Sequence, residues 1–151
     1  MNLVDLQELL DRAQITDVIV RTALAQDAHD WQAVADCFAP EAVYLHPGGR
    51  MEGVEAIVER SRRALEPLDG SQHLIGSIQV TVAGDDGRTT SYFQAQHVRH
   101  AAAGGALYAI AGTYHDTFAR RHGQWRIVER RQEYSWREGN PAVIVRDSVA
   151  T

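Results

Sequence analysis

Apolar residues recur at helical spacing through the first part of the chain and at alternate positions through its second half. Between Leu3 and Ala28 there is neither Gly nor Pro, and Leu6, Leu10, Ala13, Val20 and Leu24 recur at steps of three, four or seven. That spacing predicts one long helix with those residues on its inward face, and Asp27 falls on the same face. A second, short helix fits Trp31 to Phe38, opened by Asp30 as N-cap and stopped by Pro40. Ala42 to Leu45 reads as a strand and His46 to Arg50 as a turn. Val54 to Leu65 reads as a third helix, with Val54, Ile57, Val58 and Leu65 inward and Arg60, Arg62 and Arg63 mostly outward.

From Gly76 the period changes to two: Ile78, Val80 and Val82 alternate with Ser77, Gln79 and Thr81, the mark of a strand with one buried face. His73 stands at its threshold. After the turn Gly84-Asp85-Asp86-Gly87, Thr89 to His100 and Leu107 to Arg120 form a hairpin, and Trp125 to Tyr134 a last strand. Three helices with one early strand, then a four-stranded antiparallel meander, make an α+β fold. Strands this long twist and curl, so the expected form is a cone-shaped α+β barrel, its N-terminal helices packed on a strongly curved, mainly antiparallel sheet around a pocket. Residues 1–135 form one such domain and 136–151 a C-terminal tail, expected to cover the pocket mouth or to pack on a neighbouring subunit. An apolar outer sheet face favours a homo-oligomer, dimer or trimer.

Charge and composition narrow the function classes. With 151 residues and 44% hydrophobic content the chain has enough apolar surface for one core. Its net charge of −5, with basic residues dispersed, argues against a nucleic-acid partner. All 15 basic residues are arginine, which excludes Schiff-base chemistry through a lysine. One cysteine, Cys37, allows no internal disulfide, and neither a leader-like N-terminus nor a membrane-length apolar run is present; a cytoplasmic location without membrane association is expected. No G-x-S-x-G elbow or phosphate-binding glycine loop occurs.

The candidate chemistry begins with Asp27. A carboxylate on a buried helix face costs roughly several kcal/mol unless a donor or cation meets it, and His73 is the best candidate donor. The plainer alternative is that Asp27 tethers the loop after the helix and His73 is an ordinary strand-edge residue. His97 and His115 lie on neighbouring strands of the hairpin, so both are candidates to enter the cone as pocket residues. With His73 they superficially suggest a three-histidine metal site, but no close pair fixes two ligands on one element, and no metal is expected.

The runs Ala25-Gln26-Asp27-Ala28-His29-Asp30-Trp31 and Phe38-Ala39-Pro40-Glu41-Ala42-Val43-Tyr44, then Gly53, Gly112-Thr113-Tyr114 and Gly123-Gln124-Trp125-Arg126, resemble the SnoaL-like branch of the nuclear transport factor 2-like superfamily. Within it the chain is most similar to the scytalone dehydratase and hexachlorocyclohexane dehydrochlorinase group. That resemblance implies a catalytic pair of Asp27 and His73, and it implies pocket positions at Tyr44, Thr22 and Arg130. Thr22 stands where the dehydrochlorinase has a pocket lysine, which counts against that particular activity. The implied chemistry is proton abstraction by His73 oriented by Asp27, with Tyr44, Tyr114 or Arg130 stabilising the developing anion. The expected function is a cofactor-independent lyase or isomerase, dehydratase- or cyclase-like, acting on a small hydrophobic substrate. A non-catalytic ligand-binding or accessory domain is the alternative, and an interaction module using the open sheet face a third reading.

Overall fold

The structure is a computed structural model that describes residues 2–144. Helix α1 (Leu3–Asp27) is opened by a reciprocal cap: Asn2 accepts from the Asp5 N–H while the Asp5 carboxylate accepts from the Asn2 N–H. It ends where His29 turns left-handed at φ 55°. The buried face of α1 is Ile15, Val18, Ile19, Thr22 and Ala25, whereas Leu6, Leu10, Val20 and Leu24 are exposed. The expected inward face is therefore corrected. Apolar residues surround this helix, so spacing alone selects no unique stripe, and the packing partner chose the one with β-branched side chains. The same face buries Asp11, whose Oδ1 accepts from the Trp125 indole N–H at 3.1 Å and from the Arg120 guanidinium at 2.6 Å.

Helix α2 (Trp31–Asp36) has the expected Asp30 cap, which accepts from the Ala33 N–H. It ends before Phe38, and strand β1 (Phe38–His46) runs through Pro40 rather than starting beyond it. Pro40 is accommodated because the ladder to the neighbouring strand is interrupted between Phe38 and Val43, so no donor is needed from it. A short strand β2 (Gly49–Glu52), read from the sequence as part of a loop, pairs back on β1. Helix α3 (Val54–Leu65) has the bounds its pattern predicts.

The meander consists of β3 (Gly70–Ala83), β4 (Asp86–Val98), β5 (Leu107–Arg121) and β6 (Gln124–Gly139), followed by a 3-10 turn, Pro141–Val143. The sheet has six strands in the order β2-β1-β6-β5-β4-β3, all antiparallel neighbours except the parallel pair β1 and β6. β3 begins earlier than its alternation suggests, which places His73 inside the strand. The reason is a bulge between Gly76 and Gln79, where Ser77 has φ 49° and breaks the period of two. Further register shifts at Ala111/Gly112 and Thr117/Phe118 bend β5 against β6, and β6 runs on to Gly139, past its expected end at Tyr134. The curved sheet wraps α1 and α3. Ile15, Ile19, Phe118, Trp125 and Ile127 belong to one core cluster between helix and sheet. Leu65, Phe93, Tyr108, Ile110 and Val143 form a second cluster. Expectations for residues 145–151 lie outside the described residues. Among the described residues no helix is long and apolar enough to cross a membrane.

Candidate active site

Asp27, on the last turn of α1, meets the start of β3. Its Oδ1 accepts from His73 Nδ1 at 2.6 Å and from the Ser71 hydroxyl at 3.0 Å, and its Oδ2 accepts from the His73 backbone N–H at 2.9 Å. Ser71 and His73 share one face of β3 because they are two apart, and α1 packs over that face. Burial pushes the Asp27 carboxyl upward, but the His73 side-chain and backbone donors and Ser71 outweigh it and hold its pKa below the ordinary value. An ionised Asp27 accepts only, so His73 Nδ1 carries a proton, and in the neutral ring Nε2 bears the lone pair.

His73 lines a cavity of about 760 Å³ between α3 and the concave face of the sheet. Asp27 is not in its wall; it stands behind the imidazole. Phe93, Leu65, Tyr108 and Ile110 supply apolar wall, and the His97 ring meets His73 edge-on at 5.9 Å. His97 Nδ1 lies 3.0 Å from the Tyr108 carbonyl oxygen, which can only accept, so Nδ1 holds the proton and Nε2 is a second bare acceptor. Burial, opposed by that carbonyl, lowers the His97 pKa to about 4 and keeps the ring neutral. Tyr44 and Tyr114 also line the cavity, and burial raises the pKa of both phenols, so both remain protonated donors.

Residues 7–131 match the SnoaL-like domain family. The chain belongs to that family. No curated protein matches it in sequence. Among solved structures, LinA is 20% identical with a TM-score of 0.82, the match covering 95% of this chain and 99% of that one. A hexachlorocyclohexane dehydrochlorinase, LinA-type3, from Novosphingobium barchaimii is 18% identical with a TM-score of 0.80, covering 89% of this chain and 92% of that one. A protein of unknown function from Mycobacterium tuberculosis is 24% identical with a TM-score of 0.78, covering 89% and 77% respectively. At these identities the likeness establishes the cone-shaped fold.

This SnoaL-like cone gathers some of the residues singled out in the sequence and separates others. His73, Tyr44, His97 and Tyr114 surround the cavity. Thr22 does not line it: it is buried in α1, its hydroxyl donating to the Val18 carbonyl at 2.8 Å. His115 does not enter the cone either. The β4–β5 register sets His97 opposite Tyr108, both inward, and Thr90 opposite His115, both outward, where His115 Nε2 lies 3.4 Å from Glu133. His97 and His115 therefore occupy opposite faces, and among the described residues no group of three metal-ligating side chains occurs. Arg130 is buried but held below the cavity wall in a two-pronged pair with Asp116, both bonds 2.8 Å, its guanidinium 4.1 Å from the Tyr114 ring centre.

Those commitments distinguish the three candidates for anion stabilisation. Arg130 is occupied by Asp116, and the Tyr44 hydroxyl donates to Gln132 Oε1 at 2.8 Å. Among the described residues the Tyr114 hydroxyl has no hydrogen-bond partner. Sequence reasoning missed Ser71, Gln132 and Arg60. Ser71 is recoverable from its spacing of two before His73, whereas Gln132 needs the strand register.

Proposed function

We propose that this SnoaL-like protein is a cofactor-independent lyase or isomerase in which His73 is the general base and Asp27 its orienting partner. The observation that supports the reading is the 2.6 Å bond from His73 Nδ1 to Asp27, which leaves Nε2 as the nitrogen of this cavity-lining ring that Asp27 does not engage. His73 Nε2 takes a proton from a carbon acidified by a neighbouring carbonyl or leaving group. The released electron pair moves onto the carbonyl oxygen or expels the leaving group from the adjacent carbon. Asp27 stabilises the imidazolium through its charge and the retained hydrogen bond, and Tyr114 donates to the oxygen on which negative charge gathers. The substrate in this reading is a small, largely apolar molecule, supported by Leu65, Phe93, Tyr108 and Ile110 in the wall. Proteins of similar fold include dehydrochlorinases, a name for removal of hydrogen and chlorine. Leu74, Tyr92 and Trp136, exposed on the outer sheet face, support homo-oligomerisation as part of this reading.

The test uses 2-tetralone, an apolar ketone with acidic α-hydrogens, whose exchange with deuterium is followed by NMR. The protein should accelerate that exchange, and both His73→Ala and Asp27→Asn should lower the acceleration by roughly 10²–10⁴-fold. Equal exchange in wild type and His73→Ala would remove His73 as base. Binding of the ketone with no acceleration would favour the ligand-binding alternative.

A further inference from the structure

Arg60 was expected to face solvent with its neighbours on α3, but it stands three residues after buried Ile57 and four before Ala64, and it lines the cavity with Ala64. Its guanidinium lies 5.3 Å from the Tyr44 ring centre, an attraction between cation and ring that satisfies no N–H donor by a hydrogen bond. No carboxylate among the described residues pairs with it. The polar contact it does make is unequal to its charge. Arg60 Nε donates to His46 Nε2 at 3.0 Å, while the Gly48 N–H points at Nδ1 of the same ring from 2.9 Å. A neutral imidazole offers one acceptor nitrogen, so two donors compete for one lone pair. The ring does stay neutral, because burial, with the adjacent Arg60 charge, lowers the His46 pKa to about 4.

The rest of the wall has the same sign. Glu59 is the one carboxylate among the described lining residues, and Arg63 already engages it at 2.8 Å. Arg137, also lining the cavity, lies over the Tyr134 ring at 5.6 Å and pairs with no acid among the described residues. A partly enclosed cavity therefore carries two guanidinium groups, Arg60 and Arg137, that no carboxylate among the described residues pairs, above a floor of Phe93 and Ile110. Arginine presents a planar fork of donors that matches a carboxylate.

We propose that the cavity takes an apolar molecule bearing a carboxylate, with Arg60 as the residue that binds the carboxylate and Arg137 adding to the positive field at the mouth. This assignment rests on the cavity being the substrate site, as the reading above has it, and adds the class of substrate. The apolar body lies against the aromatic and aliphatic wall, so the carboxylate fixes which end of the molecule lies next to Arg60. Arg60 is then a specificity-determining residue, separate from the proton-transfer pair.

The experiment is calorimetric titration of the full chain with 1-naphthoate and with 1-naphthamide, which share a shape and differ in charge. The acid should bind at least about tenfold more tightly than the amide, a difference of ~1.4 kcal/mol. Arg60→Met should remove that preference, read as the ratio of the two affinities, and Arg60→Lys should retain part of it. Equal affinity for the two probes, binding of neither, or a preference that survives Arg60→Met would each overturn the proposal. His73→Ala separates this result from the function itself. A carboxylate preference intact in a protein with no exchange activity keeps the subsite and discards the general base. Exchange activity without a carboxylate preference does the reverse.

Discussion

Arg130 and Asp116 are 2% and 0% exposed, so each neutralises a charge that water cannot reach. Burial alone would lower the Arg130 pKa, but the Asp116 charge and its two hydrogen bonds raise it instead, so the guanidinium keeps its proton. Asp116→Ala should therefore destabilise the fold by about 3–5 kcal/mol in urea unfolding, because it leaves a buried cation unmatched. The double variant Asp116→Leu/Arg130→Met should regain most of that loss; a double variant as unstable as the single one would show that the pair holds specific geometry beyond charge balance. At this scale Asp27 and His73 were legible from residue type and order. The further donors to Asp27, the Ser71 hydroxyl and the His73 backbone N–H, were not, because they depend on α1 and β3 meeting at one point. Arg60 was hidden among three arginines of one helix, whose facing is decided by where α3 lies over the sheet.

Elements with one buried face were the easiest to read. The bounds of α3 follow from its apolar spacing, and those of β5 almost as closely from alternation. β3 and β6 were read short because bulges shift their alternation, and a shifted pattern looks like the end of a strand. One bulge shows how closely the strands approach. A Cβ on Gly112 would lie 1.9 Å from the Glu133 carbonyl oxygen, beside the register shift of β5 against β6. Gly112→Ala must push the two strands apart where the sheet bends, and it should cost roughly 1–3 kcal/mol or more, read as a lowered urea midpoint. An unchanged midpoint would mean that β6 yields without loss. Helix α1 is the opposite case. Its apolar residues surround it, so Leu6, Leu10 and Leu24 were assigned to the core and are exposed.

Across the whole molecule, acid should act through groups whose protonation differs between folded and unfolded chains. His97 and His46 have folded pKa values of about 4, below the ordinary 6.5, so the unfolded chain binds their protons first. Their neutral forms therefore favour the folded state fully above about pH 6.5, and stability falls as pH drops from there to about 4. For buried His97 that loss is of the order of 3 kcal/mol. Asp27, with a lowered pKa, adds a further loss below its unfolded value of 3.8. Urea midpoints measured from about pH 7 to about pH 4 should fall continuously, and His97→Gln should flatten part of the slope. A flat profile in the wild type would contradict the buried, neutral state of both rings.

What the sequence by itself determined was the α+β class, the order of helices and strands apart from β2, the α2 cap and the identity of the Asp27 and His73 pair. Each depends on local spacing, on turn chemistry or on a family pattern, all of which are written along the chain. The tertiary structure alone decided which face of α1 is buried, that β1 lies parallel to β6, and that His97 faces inward while His115 faces out. It also left the Tyr114 hydroxyl without a partner among the described residues while Arg130 and Tyr44 are engaged, and it placed Arg60 in the cavity. Those outcomes depend on register and bulges, where a shift of one residue reverses every side chain, and on packing between distant segments.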